Sequence, residues 1–113
     1  MSRVIYTEGI RFLAQRACCW WLIDAIAVCY MPGSRLVRAM RDETRLKSMV
    51  FWTLTVHDDD TAELTARADS DVPPAVRQSI AFTDWREHAR FSVVNIWAEC
   101  DGERWTLLLP SEH

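Results

Sequence analysis

Residues Val50 to His57 read VFWTLTVH, and in them Val50, Trp52, Leu54 and Val56 alternate with Phe51, Thr53, Thr55 and His57. A period of two belongs to a strand with one buried face, because successive side chains point to opposite sides of a sheet. Upstream the period is helical. Ile10, Leu13, Ala14 and Ala17 recur at i, i+3, i+4 and i+7 after Thr7, a helix-capping residue placed before Glu8. A second helix is expected over roughly Cys19 to Tyr30, where Trp20, Trp21, Leu22, Ile23, Ile26 and Val28 make it apolar nearly all round and demand cover on several sides. Pro32-Gly33 ends it, and Ser34 caps a third helix through about Leu46, with Leu36, Val37 and Met40 inward and Arg38, Arg41 and Arg45 along another side.

After VFWTLTVH the strand signals continue. Asp58-Asp59-Asp60 makes a turn, and TAELTARA sets Ala62, Leu64, Ala66 and Ala68 against Glu63, Thr65 and Arg67. DSDVPP, Asp69 to Pro74, is a loop, since proline cannot donate to a sheet ladder. AVRQSIAF alternates again, with Val76, Gln78, Ile80 and Phe82 on one side, and Thr83 or Asp84 caps a short turn through DWREHA. FSVVNIWA is apolar on both faces, and Asp101-Gly102 is a hairpin signal into ERWTLLLP. Helices followed by about five strands predict an α+β fold, with N-terminal helices packed on one face of a roughly five-stranded antiparallel meander. The chain is expected to be a single domain over 1–113, helical over about 7–47 and sheet over about 49–110. At 113 residues, half of them apolar, it can bury a core of its own.

Charge is unevenly distributed. Residues 1–56 carry eight basic side chains against four acidic, and residues 57–113 carry five against twelve, so +4 and −7 make up the net −3. Such asymmetry points either to an electrostatic partner surface or to two ordinary faces of a small domain. The stretch VHDDDTAELTARADSD, Val56 to Asp71, holds six carboxylates answered only by Arg67. The candidate partner-binding surface is therefore Asp58, Asp59, Asp60, Glu63, Asp69 and Asp71, joined by Glu99, Asp101 and Glu103 of the last hairpin. If these share one face they form a rigid, phosphate-like surface able to compete with a duplex for Arg and Lys. Otherwise they protect sheet edges and solvate turns.

Catalytic and metal readings are weaker. Cys18, Cys19, Cys29 and Cys100 form no CxxC pair or zinc spacing, and they read as reduced thiols in a cytoplasmic protein. Cys19 or Cys100 with His57 or His88 is the only Cys/His arrangement, and no local signature supports a nucleophile there. His57, Asp58 and Asp60 resemble an oxygen-rich metal loop but lack the glycine that folds one around an ion. Asp24, amid Trp21, Leu22, Ile23 and Ile26, is either a functional acid or the helix's one wet position. Arg38, Arg41 and Arg45 could bind phosphate, but the interleaved Asp42 and Glu43 favour a salt-bridged face. No metal and no cofactor is expected. The run ACCWWLIDAIAVCYM is too short, and at Asp24 too polar, to span a membrane, and the N-terminus lacks a signal-peptide h-region.

Taken together, YTEGIRFLAQRACCWWLIDAIA, FWTLTV, IAFTDW and WTLLLPSEH resemble a family of small uncharacterised proteins of bacteria, plasmids and phages. Its pattern runs TEG, YLA, YWLxDxIA, FxxWxLxV, IxxTDF and LLLPSE. The chain departs from it at ACCWWL and in a longer helical insert around Ser34–Ser48. A short acidic α+β protein without a catalytic motif also resembles, in type, phage anti-CRISPR proteins acting on type I systems. That resemblance implies a non-enzymatic inhibitor whose partner is a DNA-binding subunit of a type I effector in the bacterial cytoplasm. It implies no direct nucleic-acid contact, no membrane, and a monomer or weak dimer. The alternatives are a small or metal-assisted enzyme around Asp24 and the cysteines, and an adaptor that buries its Trp-rich helix in a dimer or a partner groove.

Overall fold

The computed structural model describes residues 3–81 and 83–113. Thr7 caps the first helix as its position predicts. Its hydroxyl oxygen accepts the Ile10 N–H at 3.3 Å, and α1 spans Glu8–Arg16 with Ile10 and Ala14 buried. Cys18, at φ 51°, turns the chain into α2, Trp20–Val28. Leu22, Ile23 and Ile26 of α2 are buried, but Trp20, Asp24 and Val28, at i, i+4 and i+8, form a stripe facing water. The helix is covered on several sides, as expected, and open along that stripe, with Trp20 42% and Val28 59% exposed.

The third helix is also shorter than its pattern suggests. Ser34 caps it through the Val37 N–H at 3.2 Å, yet α3 covers only Arg35–Ala39, and Thr44–Lys47 form a separate 3₁₀ turn. Glu43 divides the two. Its carboxylate accepts the Arg45 N–H at 3.2 Å and so starts a new turn in place of a continuing helix.

Among the described residues six strands make one open sheet: β1 (Arg3–Tyr6), β2 (Met49–Val56), β3 (Ala62–Arg67), β4 (Val76–Ile80), β5 (Val93–Cys100) and β6 (Arg104–Leu108), in the order β1-β6-β5-β2-β3-β4. The expected five-stranded antiparallel meander is corrected on two counts. First, RVIY adds an edge strand parallel to β6, with Val4 opposite Trp105 and Tyr6 opposite Leu107, so the sheet is mixed. Second, β5 does not follow beside β4. It returns to the far side of β2, where Trp52 stands opposite Ile96, and so lies between β2 and β6; its burial alternates, with Val94, Ile96 and Ala98 buried and Val93 and Asn95 exposed. A short α4, Trp85–His88, occupies that crossover, and the Thr83 hydroxyl oxygen accepts the Trp85 N–H at 3.2 Å. Phe82, expected on the inward side of the fourth strand, lies outside the described residues.

The helices cover one face of this sheet. Val50, Trp52, Leu54 and Val56 of β2 are buried there with Leu64, Ala66, Ile96, Ala98, Trp105 and Leu107. Tyr30, just past α2, joins the layers: its ring centroid lies 4.7 Å from Trp105, and its hydroxyl oxygen accepts the Trp52 indole N–H at 3.0 Å. The opposite, outer face carries Phe51, Thr53, Glu63, Arg67, Arg77, Asn95, Trp97 and Glu99; Arg77, Asn95 and Glu99 are exposed, and the His113 ring meets Trp97 edge to face at 5.1 Å.

Candidate functional site

The nine acidic candidates divide between two ends of the sheet. Asp58, Asp59 and Asp60 form the β2–β3 turn at one end. Asp60 adopts φ 65°, and the Asp59 carboxylate accepts the Thr61 N–H at 3.0 Å and hydroxyl at 2.6 Å, which holds its pKa below the usual carboxylate range. Arg86 reaches this turn, donating to the Asp58 carbonyl oxygen and lying 3.6 Å from the Asp60 carboxylate. The three aspartates are therefore a capped and partly neutralised turn. Glu63 lies on the outer face one strand-turn away and is paired with Arg77 at 2.6 Å.

Asp69, Asp71, Glu99, Asp101 and Glu103 occupy the other end. The six residues of β3 separate the two groups by roughly 20 Å. Register brings the second group together. Met49 is opposite Glu99, and Phe51 is opposite Arg67, so the chain leaves β3 toward Asp69 beside the end of β2 that faces Glu99. One intervening strand puts β3 and β5 roughly 10 Å apart. Within this end Asp101 is a structural anchor: its carboxylate accepts the N–H groups of Glu103 and Arg104 at 3.0 and 2.8 Å and pairs with the Arg104 guanidinium at 3.2 Å. Those backbone bonds pull its pKa down and hold the hairpin in which Gly102 takes φ 101°. Asp69 lies 3.8 Å from Arg45, which is bonded to Glu43 at 2.9 Å. Asp71, Glu99 and Glu103 have no ion pair among the described residues.

This anionic end borders a hollow of about 360 Å³ on the outer face. Phe51 and Trp97 pack edge to face at 5.3 Å across it, Thr53 and Asn95 share a hydrogen bond at 3.0 Å, and Arg67 and Asp69 close its rim. Aromatic walls beside charge are a usual make-up for a binding surface. Nothing in the sequence alone marked the hollow, because Phe51, Asn95 and Trp97 become neighbours only through the β2–β5 register.

Asp24 is solvent-exposed on α2, at the helix's wet position, and burial gives it no special chemistry. Cys19 is buried, and desolvation pushes its thiol up to about 11, which disfavours the thiolate a nucleophile needs. Among the described residues the ligand atoms of His57, Asp58 and Asp60 do not converge. Those of Asp84, Glu87 and His88 do, within 4.8 Å, on the exposed side of α4. The i, i+3, i+4 spacing of DWREH could have revealed that cluster. A bond of 3.2 Å between His88 Nε2 and Asp84 accounts for most of it. No helix among the described residues is long and apolar enough to cross a membrane.

By fold the chain is an α+β protein with an open mixed sheet layered by helices on one face. It is similar to the crystal structure of a protein of unknown function from Enterococcus faecalis, with a TM-score of 0.52 and 19% identity over 99% of this chain and 91% of that one. The chain belongs to DUF6876, a family of unknown function whose profile matches residues 1–113. Among curated proteins none matches.

The motifs TEG and LLLPSE, 100 residues apart in the chain, meet in space. The Glu112 carboxylate accepts the Thr7 hydroxyl at 2.7 Å, the Gly9 N–H at 3.3 Å and the Leu109 N–H at 2.9 Å, tying the C-terminal turn Pro110–Glu112 to the start of α1. A Cβ on Gly9 would stand 2.6 Å from that carboxylate, so the glycine makes room for the glutamate. These hydrogen bonds, the Thr7 one foremost, lower the Glu112 pKa. Its contribution to stability is therefore present above the unfolded pKa and fades as pH falls through the folded one. Glu112→Ala is expected to cost about 1 kcal/mol near neutral pH and less in acid, read from urea midpoints. Gly9→Ala should destabilise the natural chain yet stabilise the Glu112→Ala variant, because helix propensity then favours alanine by up to about 1 kcal/mol. A gain from Gly9→Ala in both backgrounds would mean the clamp is not formed.

Proposed function

We propose that this chain is a non-enzymatic binding protein that sets the anionic end of its sheet into a basic groove of a protein partner. The partner we propose is the duplex-binding channel of a type I CRISPR effector, which the chain would block as a mimic of DNA phosphates. The observation that supports the reading is that Asp69 lines the Phe51–Trp97 hollow at the end of the sheet that also carries Asp71, Glu99 and Glu103, which have no ion pair among the described residues. Fixed carboxylates steer a cationic partner and aromatic walls supply desolvated contact area. The Asp58–Asp60 turn has a smaller part in this reading, since Arg86 and Thr61 already engage it.

The test is inhibition of target-duplex binding by a panel of type I effector complexes at low and high salt. Replacing Asp71, Glu99 and Glu103 by lysine should weaken inhibition at least tenfold, roughly 1.4 kcal/mol, while lysines at Asp58, Asp59 and Asp60 should change it less. Inhibition should also weaken with salt, as screening of exposed charges requires. Loss of no complex's DNA binding, or inhibition indifferent to salt, would reject the reading.

A second reading rests on the exposed stripe of α2. Trp20 and Val28, with Met31 52% exposed just beyond the helix, form an apolar strip interrupted by Asp24. It suits an adaptor that pairs through α2. Concentration-dependent mass in light scattering, abolished by Val28→Lys, is expected on that reading, and a strict monomer rejects it.

A further inference from the structure

Among the described residues the first half of β5 has a bare edge. On the β6 side the ladder runs only from Cys100–Trp105 to Trp97–Leu108. Continued by two residues, this register would set Asn95 opposite Pro110, which has no N–H and begins the turn Pro110–Glu112, so the chain veers off. The hydrogen-bond phase identifies the stranded groups. Ser92 accepts from Val56 and Cys100 donates to Ser48, so even-numbered residues of β5 bond toward β2. Val93 and Asn95 therefore aim their N–H and C=O groups away from β2, at the space β6 vacates.

That space is a groove of about 390 Å³ with apolar walls, including Leu13 and Leu109. Phe91 and Val93 on it are each 51% exposed. Leu13 and Phe91 also line an adjoining hollow of about 330 Å³, whose rim carries Arg16 and Arg90. Neither arginine has a carboxylate partner among the described residues. Arg16 instead lies 5.9 Å from the centre of the Phe12 ring.

We propose that this edge binds an extended segment of a partner protein by strand addition, antiparallel to β5. Alternate apolar side chains of the segment fill the groove, and an acidic residue following them meets Arg16 and Arg90. The charge at the end of the groove selects the occupant: two guanidiniums over an apolar floor match a carboxylate carried by an apolar strand. An antiparallel guest continues the line of β6 past Leu108 and so runs toward Phe91, which places its acid C-terminal to its apolar residues. The groove shares Asn95 with the Phe51–Trp97 hollow but lies toward the other end of β5 from Glu99, and the proposal does not rest on the function proposed above.

The test pans a phage-displayed library of random dodecapeptides on the full chain, then measures the selected peptide by fluorescence polarisation. Enriched peptides should alternate apolar residues and then carry Asp or Glu. Arg16→Glu with Arg90→Glu should weaken the selected peptide at least tenfold, and lysines at Asp71, Glu99 and Glu103 should not weaken it. N-methylation of the peptide at alternate residues should abolish binding in one phase and spare it in the other, a readout that does not depend on how any variant folds. Failure to enrich any peptide, enrichment without acidic residues, or equal tolerance of both methylation phases would overturn the proposal. So would self-association of the chain that Val93→Lys abolishes, since a second copy would then hold the edge.

Discussion

Trp52→Ala is expected to cost about 3–5 kcal/mol, a large share of the roughly 5–15 kcal/mol that holds a domain folded. The side chain is 1% exposed in the middle of β2, between the helix layer and the sheet. Its removal leaves a cavity with Tyr30 on one wall, 6.2 Å between ring centroids. It also orphans the Tyr30 hydroxyl, which is buried, accepts the Trp52 N–H, and has its own ionisation pushed upward by desolvation. Tyr30→Phe separates the two contributions. It keeps the ring and strands the indole N–H, so about 1–3 kcal/mol should be lost. Both are read as shifts in urea midpoint at unchanged slope. A loss below about 1 kcal/mol for Trp52→Ala would mean that α2 and β2 do not share a core as described.

Trp85→Ala should have an effect of similar size for a different reason, again about 3–5 kcal/mol. Trp85 is fully buried although it sits in a four-residue helix within the crossover from β4 to β5. Its indole N–H donates to the Phe91 carbonyl oxygen at 2.7 Å, and its ring meets Phe91 edge to face at 5.6 Å. Such a short helix has little stability of its own, so this one side chain anchors the crossover. Trp85→Phe should keep most of the packing, lose the Phe91 bond, and cost about 1–3 kcal/mol. Hydrogen exchange should find residues 83–92 opening first in that variant, ahead of the central strands. Uniform loss of protection across the chain would assign Trp85 to the global core instead. Because Phe91 walls the groove beside β5, the same variant should weaken peptide binding at that edge.

Local chemistry in the sequence determined a good deal of this protein. Thr7 and Ser34 start helices because their hydroxyls satisfy nearby backbone N–H groups, and Asp101-Gly102 turns a hairpin because glycine tolerates positive φ. Alternation in VFWTLTVH assigned Val50, Trp52, Leu54 and Val56 to the buried side of β2 before any partner strand was known. Each of these signals acts within a few residues, which is why the sequence carries it.

Pairing partners are a different matter. RVIY becomes a strand only because β6, about a hundred residues later, offers it a parallel edge. Likewise β5 reaches β2 across the whole β3–β4 excursion. The site followed the same rule. The sequence supplied the number of carboxylates, but strand length set Asp58–Asp60 apart from Asp69 and Asp71, and register set Phe51 beside Trp97 on the outer face. Even the TEG and LLLPSE motifs, conspicuous in the sequence, take their meaning from the fold, where Glu112 closes on Thr7 and Gly9. Side-chain type and local spacing are written along the chain, whereas which carboxylates, aromatics and bare strand edges share a surface depends on contacts between distant segments, and only the tertiary structure decided that.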